Sequence, residues 1–135
     1  MEEFSPVEAR FLRFTVRRTT SNAQPCLDEL EAYGPAAPLR NLALAAEGTR
    51  VRASGSLPEY RIHTLPHVHD GLYGNGHSWI SDTAGSGWVE FEFPSPVVLD
   101  RVVWSRDRER KFIDRLAVEY DVEVAVEPGR WRMVA

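Results

Sequence analysis

The sequence predicts an all-β chain, folded as an antiparallel sandwich or barrel. Three observations carry this. Segments that alternate apolar and polar residues recur along the chain, as half-buried strands do. No amphipathic stretch of useful helical length separates them. Nine glycines and nine prolines in 135 residues mark frequent turns, and so many short strands.

Taken in order, residues 10–17 (RFLRFTVR) set Phe11, Leu12, Phe14 and Val16 against Arg10, Arg13, Thr15 and Arg17. This predicts a strand with one buried face. Residues 18–25 form a polar turn cluster. In CLDELEAYG, Leu27, Leu30 and Tyr33 fit a helix, while Asp28, Leu30 and Ala32 fit a strand. The segment is too short for periodicity to decide. Residues 34–40 (GPAAPLR) read as a linker. Residues 47–54 predict another strand, with Thr49, Val51 and Ala53 on one face.

Residues 55–87 hold few aliphatic side chains and predict a long irregular stretch. Such a stretch inside one domain is usually functional or tied down by a ligand or ion. WVEFEF (88–93) is a strand, Pro94 and Pro96 mark a turn, and VVLDRVVW (97–104) is a buried strand. Residues 105–117 fit either a short helix or a charged loop. Residues 118–127 place Val118, Tyr120, Val122, Val124 and Val126 on one face. The Pro128-Gly129 turn then leads to a last strand over 130–135.

The length is that of one domain, able to bury a core without a staple. With 43% hydrophobic and 27% charged residues, the balance is globular rather than disordered. A net charge of −4 argues against a nucleic-acid binder that relies on bulk charge. No apolar run is long enough to span a bilayer. The acidic start, MEEFSPVEAR, has no apolar core and predicts no signal peptide. The single cysteine, Cys26, excludes an intrachain disulfide and reads as a small buried hydrophobe.

A series of short marks follows from Asn41 onward. They are Asn41-Leu42-Ala43, Asp70-Gly71, Ser78-Trp79-Ile80-Ser81 and Gly87-Trp88-Val89-Glu90-Phe91. After these come Val102-Val103-Trp104, Tyr120-Asp121-Val122-Glu123-Val124 and Trp131. In this order and spacing the segment resembles a discoidin domain, the coagulation factor V/VIII type C domain. Carbohydrate-binding module family 32 is a relative of the same fold. The resemblance implies an antiparallel β-sandwich jelly roll of the galactose-binding type. It covers nearly the whole chain, in a rotated order. Ala9–Phe14 and Glu29–Gly34 resemble the family's last strands, yet here they come first. A circularly permuted domain explains this, with 1–34 as the family's C-terminal strands, 35–40 as the join and 41–135 as the rest. A chain straddling two neighbouring domains is the other explanation.

The resemblance also implies a structural calcium ion. Carried over, Asp70 and Glu29 bind it by side chain, and His67, Leu72 and Asp28 by carbonyl. The loop from Asp70 to Trp79 is longer than the family pattern, which leaves Asn75 or Ser78 as the further oxygen. Calcium takes six to eight oxygens, and loops supply carbonyls readily. Alternatively Asp70 only caps the Asp-Gly turn.

All four histidines, His63, His67, His69 and His77, lie in one stretch. They raise the idea of a zinc hydrolase, but no complete zinc signature is present. A sugar site needs an aromatic plate and fixed polar groups. Trp104, at a strand end, is the candidate plate. His63, Tyr73, Asn75, His77, Arg106 and Arg108 are the loop candidates for hydroxyl contacts. Trp79, Trp88 and Trp131 read as core. The interleaved charges of 100–115 read as a solvated face.

These residues point to a non-catalytic module that binds carbohydrate or a cell-surface glycan within a longer multidomain chain. Such modules usually act outside the cytoplasm. The alternative is a structural or protein–protein interaction module without sugar affinity.

Overall fold

A computed structural model describes all 135 residues. It is all-β with antiparallel pairing between its named strands. They are β1 (Glu2–Thr19), β2 (Cys26–Leu27), β3 (Glu29–Tyr33), β4 (Arg50–Ala53), β5 (Trp79–Ile80), β6 (Gly87–Ser105), β7 (Ala117–Ala125) and β8 (Arg132–Met133). The main sheet runs β3-β6-β1-β7-β8, with β4 also beside β6, and β2–β5 form a separate ribbon.

Two long strands organise the sheet. β1 and β6 pair from Glu2↔Val102 to Val16↔Gly87. β7 lies on the other side of β1. β3 and β4 both pair with β6, at Leu30↔Trp104 and Val51↔Phe91. Pro94 and Pro96 do not end a strand. They sit inside β6, where the register jumps from Ala9↔Val97 to Phe11↔Glu92. A proline cannot donate to a ladder, so the extra residues bulge out and the strand continues beyond them.

One apolar cluster forms the core, with Leu12, Phe14, Val16, Leu30, Trp79, Val89, Phe91, Phe93, Leu99 and Val122 all buried. In the middle of β1, Leu12, Phe14 and Val16 point inward. Phe11 is therefore on the opposite face from Leu12, where its ring meets Trp131 edge-on at 6.5 Å. The predicted β7 stripe is also shortened. Val122 and Val124 are buried, but Val118 and Val126 are exposed. A register shift between Arg18 and Thr19 brings Ala117 inward at one end, and Val126 lies past the other end of the strand.

Trp79 is fully buried, whereas Trp88 and Trp131 are only half-buried. They flank the Arg13 guanidinium, at 5.0 and 4.2 Å. On the same face Glu90 takes Arg13 at 2.7 Å and Arg52 at 2.5 Å. The polar side of the predicted strands is thus a charge ladder.

Three segments set up the site. Residues 35–40 are exposed and outside any strand or helix. At Gly34 an added Cβ would meet the Val98 carbonyl, so glycine lets β3 leave past β6. The chain is regained at Asn41, whose Oδ1 accepts the amides of Ala32 (3.1 Å) and Ala43 (3.0 Å). Residues 55–86 are irregular, as predicted, apart from a 3-10 turn at Leu65–His69 and β5. Residues 106–116 form a loop and not a helix. No helix is long and apolar enough to cross a membrane.

Candidate functional site

The ribbon β2–β5 and the end of β3 bring Asp28 and Glu29 against the loop that follows Asp70. Alternation along β3 puts Glu29 and Glu31 on one face and Leu30 on the other. All three are buried. Burying carboxylates is costly unless hydrogen bonds or cations satisfy them.

Asp28 is satisfied. Its Oδ2 accepts the amides of Gly74 (2.9 Å) and Arg108 (2.6 Å), and its Oδ1 accepts the Ser105 hydroxyl. Its side chain therefore ties two loops together. Glu31 lies 2.5 Å from the Arg108 guanidinium and accepts the Tyr33 hydroxyl.

Glu29 is only half satisfied. Its Oε1 accepts the Gly71 amide at 3.1 Å. Its Oε2 is buried with no partner. Burial first, and then the charges of Asp70, Glu31 and Asp28, push its pKa up to about 8. Gly71 adopts φ +80°, the left-handed turn that Asp-Gly favours. Asp70 Oδ1 caps that turn at the Leu72 amide, 2.8 Å away. Both readings of Asp70 thus have a footing: a turn cap, and a carboxylate beside an unpartnered buried oxygen. An orphaned oxygen among carboxylates and carbonyl-bearing turns suits a hard divalent cation.

The other expected oxygen donors are engaged elsewhere. Ser78 Oγ bonds the Asn75 carbonyl and His63 Nδ1, both at 2.8 Å. Asn75 Oδ1 accepts from Arg106 at 3.0 Å.

The four histidines separate. His63 is held by Ser78. His69 turns into the core, stacked on Phe91 at 5.4 Å with Nδ1 on the Ala43 carbonyl. Burial lowers its pKa. His67 and His77 stay together, ring centroids 5.3 Å apart, and His77 Nδ1 lies 3.4 Å from Asp70 Oδ2.

The expected sugar-contact residues also divide. Trp104 packs between Phe14 and Tyr120, at 5.3 and 5.0 Å. It lines an open pocket of about 350 Å³ with Arg106, Arg110, Phe112, Ile113 and Leu116. A second pocket, about 180 Å³, holds Tyr60, His63, Asn75, Arg106, Phe112 and Arg115. Arg106 and Phe112 border both. Arg106 is 4% exposed, clamped by the Asp114 carbonyl and carboxylate at 2.8 Å each. Arg108 and Tyr73 pair with each other, 4.0 Å from cation to ring centre, away from those pockets' linings.

Phe112 is the residue that sequence reasoning passed over. It stands in a charged stretch with no apolar periodicity. The signal was Asp107, whose carboxylate accepts the amides of Glu109, Lys111 and Phe112 and shapes the loop. Burial pushes the Cys26 thiol up to about 11, as suits an inert packing residue.

Comparison with known proteins gives no match among family models, curated proteins or solved structures. The fold and site define an antiparallel all-β domain with a buried acidic loop site and an arginine-centred pair of pockets.

Proposed function

We propose that the chain is a non-catalytic module that binds carbohydrate across the two pockets that meet at Arg106. The observation that carries this reading is the setting of that guanidinium. It is held rigid by Asp114 and Asn75, and its centre lies 5.5 Å from the half-exposed Phe112 ring. A sugar offers a C–H face to an aromatic plate and hydroxyls to fixed polar groups. Phe112 rather than the packed Trp104 is the plate in this reading. Arg106, Asn75, His63 and Arg115 are the polar groups. A glycan array tests it: binding to a defined sugar class is expected, and Phe112→Ala removes it without loss of folding.

The calcium reading belongs to the same proposal. Glu29 and Asp70 would hold the ion with loop carbonyls, including those of His67, Leu72 and Asp28. The ion would supply the positive charge that Glu29 Oε2 lacks. Its role is to fix the loop. The unpartnered oxygen supports this reading, and the engaged Ser78 and Asn75 side chains are left out of it.

Chain order is proposed in the same way. A permuted discoidin-like domain accounts for one core cluster in one chain, with an exposed join at 35–40. Sedimentation as a folded monomer is expected, and an obligate dimer would contradict it. The longer multidomain chain and the setting outside the cytoplasm rest on the resemblance alone.

One observation favours a protein-interaction module instead. Phe112, Ile113 and Leu116 are exposed together, Ile113 by 84%. Silence on a broad glycan array, with a protein partner captured through these residues, would decide for that reading.

A further inference from the structure

We propose that His67, Asp70 and His77 form a binding site for a divalent transition-metal ion of the zinc class. This is separate from the carbohydrate reading and does not depend on it.

The three side chains each offer one donor atom, and these atoms all lie within 4.8 Å of one another. They come from one 3-10 turn and the loop after it. His67 lies in the turn, Asp70 caps its end and His77 returns beside them. In a tetrahedral zinc site with bonds near 2.0–2.1 Å, donors stand about 3.4 Å apart. His77 Nδ1 and Asp70 Oδ2 are already at 3.4 Å. The remaining closure is a small side-chain rotation by His67, which is only half-buried.

The hydrogen bonding suits the task. His67 Nδ1–H donates to the Ile62 carbonyl at 2.9 Å. That bond leaves the lone pair on Nε2, as a carbonyl accepting from the other ring nitrogen does for ligating histidines. His77 Nδ1 is buried and makes no hydrogen bond. Asp70 spends Oδ1 on the Leu72 amide and keeps Oδ2 toward His77.

Donor chemistry selects the ion. Two imidazoles and one carboxylate favour zinc, copper or nickel over calcium or magnesium, which take oxygen. Three protein ligands leave a fourth position for water or an external donor. The two buried or committed histidines, His63 and His69, take no part.

The test is a Zn²⁺ titration of tag-free protein by calorimetry. One equivalent is expected to bind, and excess Mg²⁺ should not displace it. His67→Gln and His77→Gln should each weaken binding about tenfold or more. Asp70 also belongs to the proposed calcium site, so the titration is repeated in Glu29→Gln protein. Zinc binding should persist there, which separates this site from the Glu29 pocket. The imidazole resonances of the unsubstituted protein give a second readout that needs no variant. Those of His67 and His77 should shift with Zn²⁺. Titrations unchanged by both substitutions, or resonances of both rings unmoved, would overturn the proposal.

Discussion

Glu29 gives one carboxylate oxygen to the Gly71 amide and buries the other without a partner. This single relationship links the end of β3 to the Asp-Gly turn, and it makes the loop sensitive to charge. Its ordinary pKa is 4.5, and in the fold it is about 8. The fold therefore prefers the protonated form. The stability this contributes is full below about pH 4.5 and is lost as pH rises through about 8.

In chelator, the melting temperature should accordingly fall between pH 5 and pH 8. Glu29→Gln has no proton to lose and should flatten that part of the profile. Added calcium should raise the melting temperature more at pH 8 than at pH 5, because it binds the deprotonated carboxylate. Thermal melts at both pH values, with and without calcium, check this. A chelated wild-type protein equally stable at both would contradict the account of Glu29.

The tryptophans should separate by energy as they do by burial. Trp79 is enclosed, with Nε1 donating to Ser56 Oγ (3.0 Å) and the Gly55 carbonyl (3.2 Å). Trp79→Ala should cost about 3–5 kcal/mol by denaturant unfolding. Trp131→Ala removes a half-buried ring over Arg13 and should cost about 1 kcal/mol. Equal losses would contradict the core assignment.

Asn41 closes the 35–40 segment by accepting two backbone amides. Asn41→Ala leaves both without that acceptor and should cost about 1–3 kcal/mol. Faster proteolysis within 35–40 should accompany the loss. A variant as stable and as resistant as wild type would show that the segment is anchored elsewhere.

Much of the fold was legible in the sequence because strand periodicity reports burial directly. β4 and β7 lie where alternation placed them, β1 extends the predicted 10–17 strand back to Glu2, and β6 joins the two strands predicted at 88–93 and 97–104. The failures have local causes. Pro94 and Pro96 read as a turn, yet a bulge absorbs both inside β6. Phe11 and Leu12 are adjacent apolar residues, and only the register decides that Leu12 faces inward. Val118 lost its buried place to Ala117 through a register shift. Periodicity carries no record of such shifts.

The acidic site was legible only through the family resemblance. Glu29 does reach the Asp70-Gly71 turn, and the Asp28 side chain, for which the sequence suggested no role, braces Gly74 and Arg108. The sugar-contact set was less legible. Its seven residues fall into three neighbourhoods, because nothing local in sequence encodes which loops meet. Arg106 stood in the sequence as one loop candidate among several, and Phe112 was hidden among charges that Asp107 organises.

The central claim is that carbohydrate binds where Arg106 and Phe112 join the two pockets. The most direct measurement is a glycan array on the wild-type chain and on Phe112→Ala, each confirmed folded by its melting curve. The account predicts that wild type binds a defined sugar class and that Phe112→Ala weakens this binding about tenfold or more, a loss of about 1.4 kcal/mol or more. Wild-type silence across the array, or equal binding by both proteins, would contradict it.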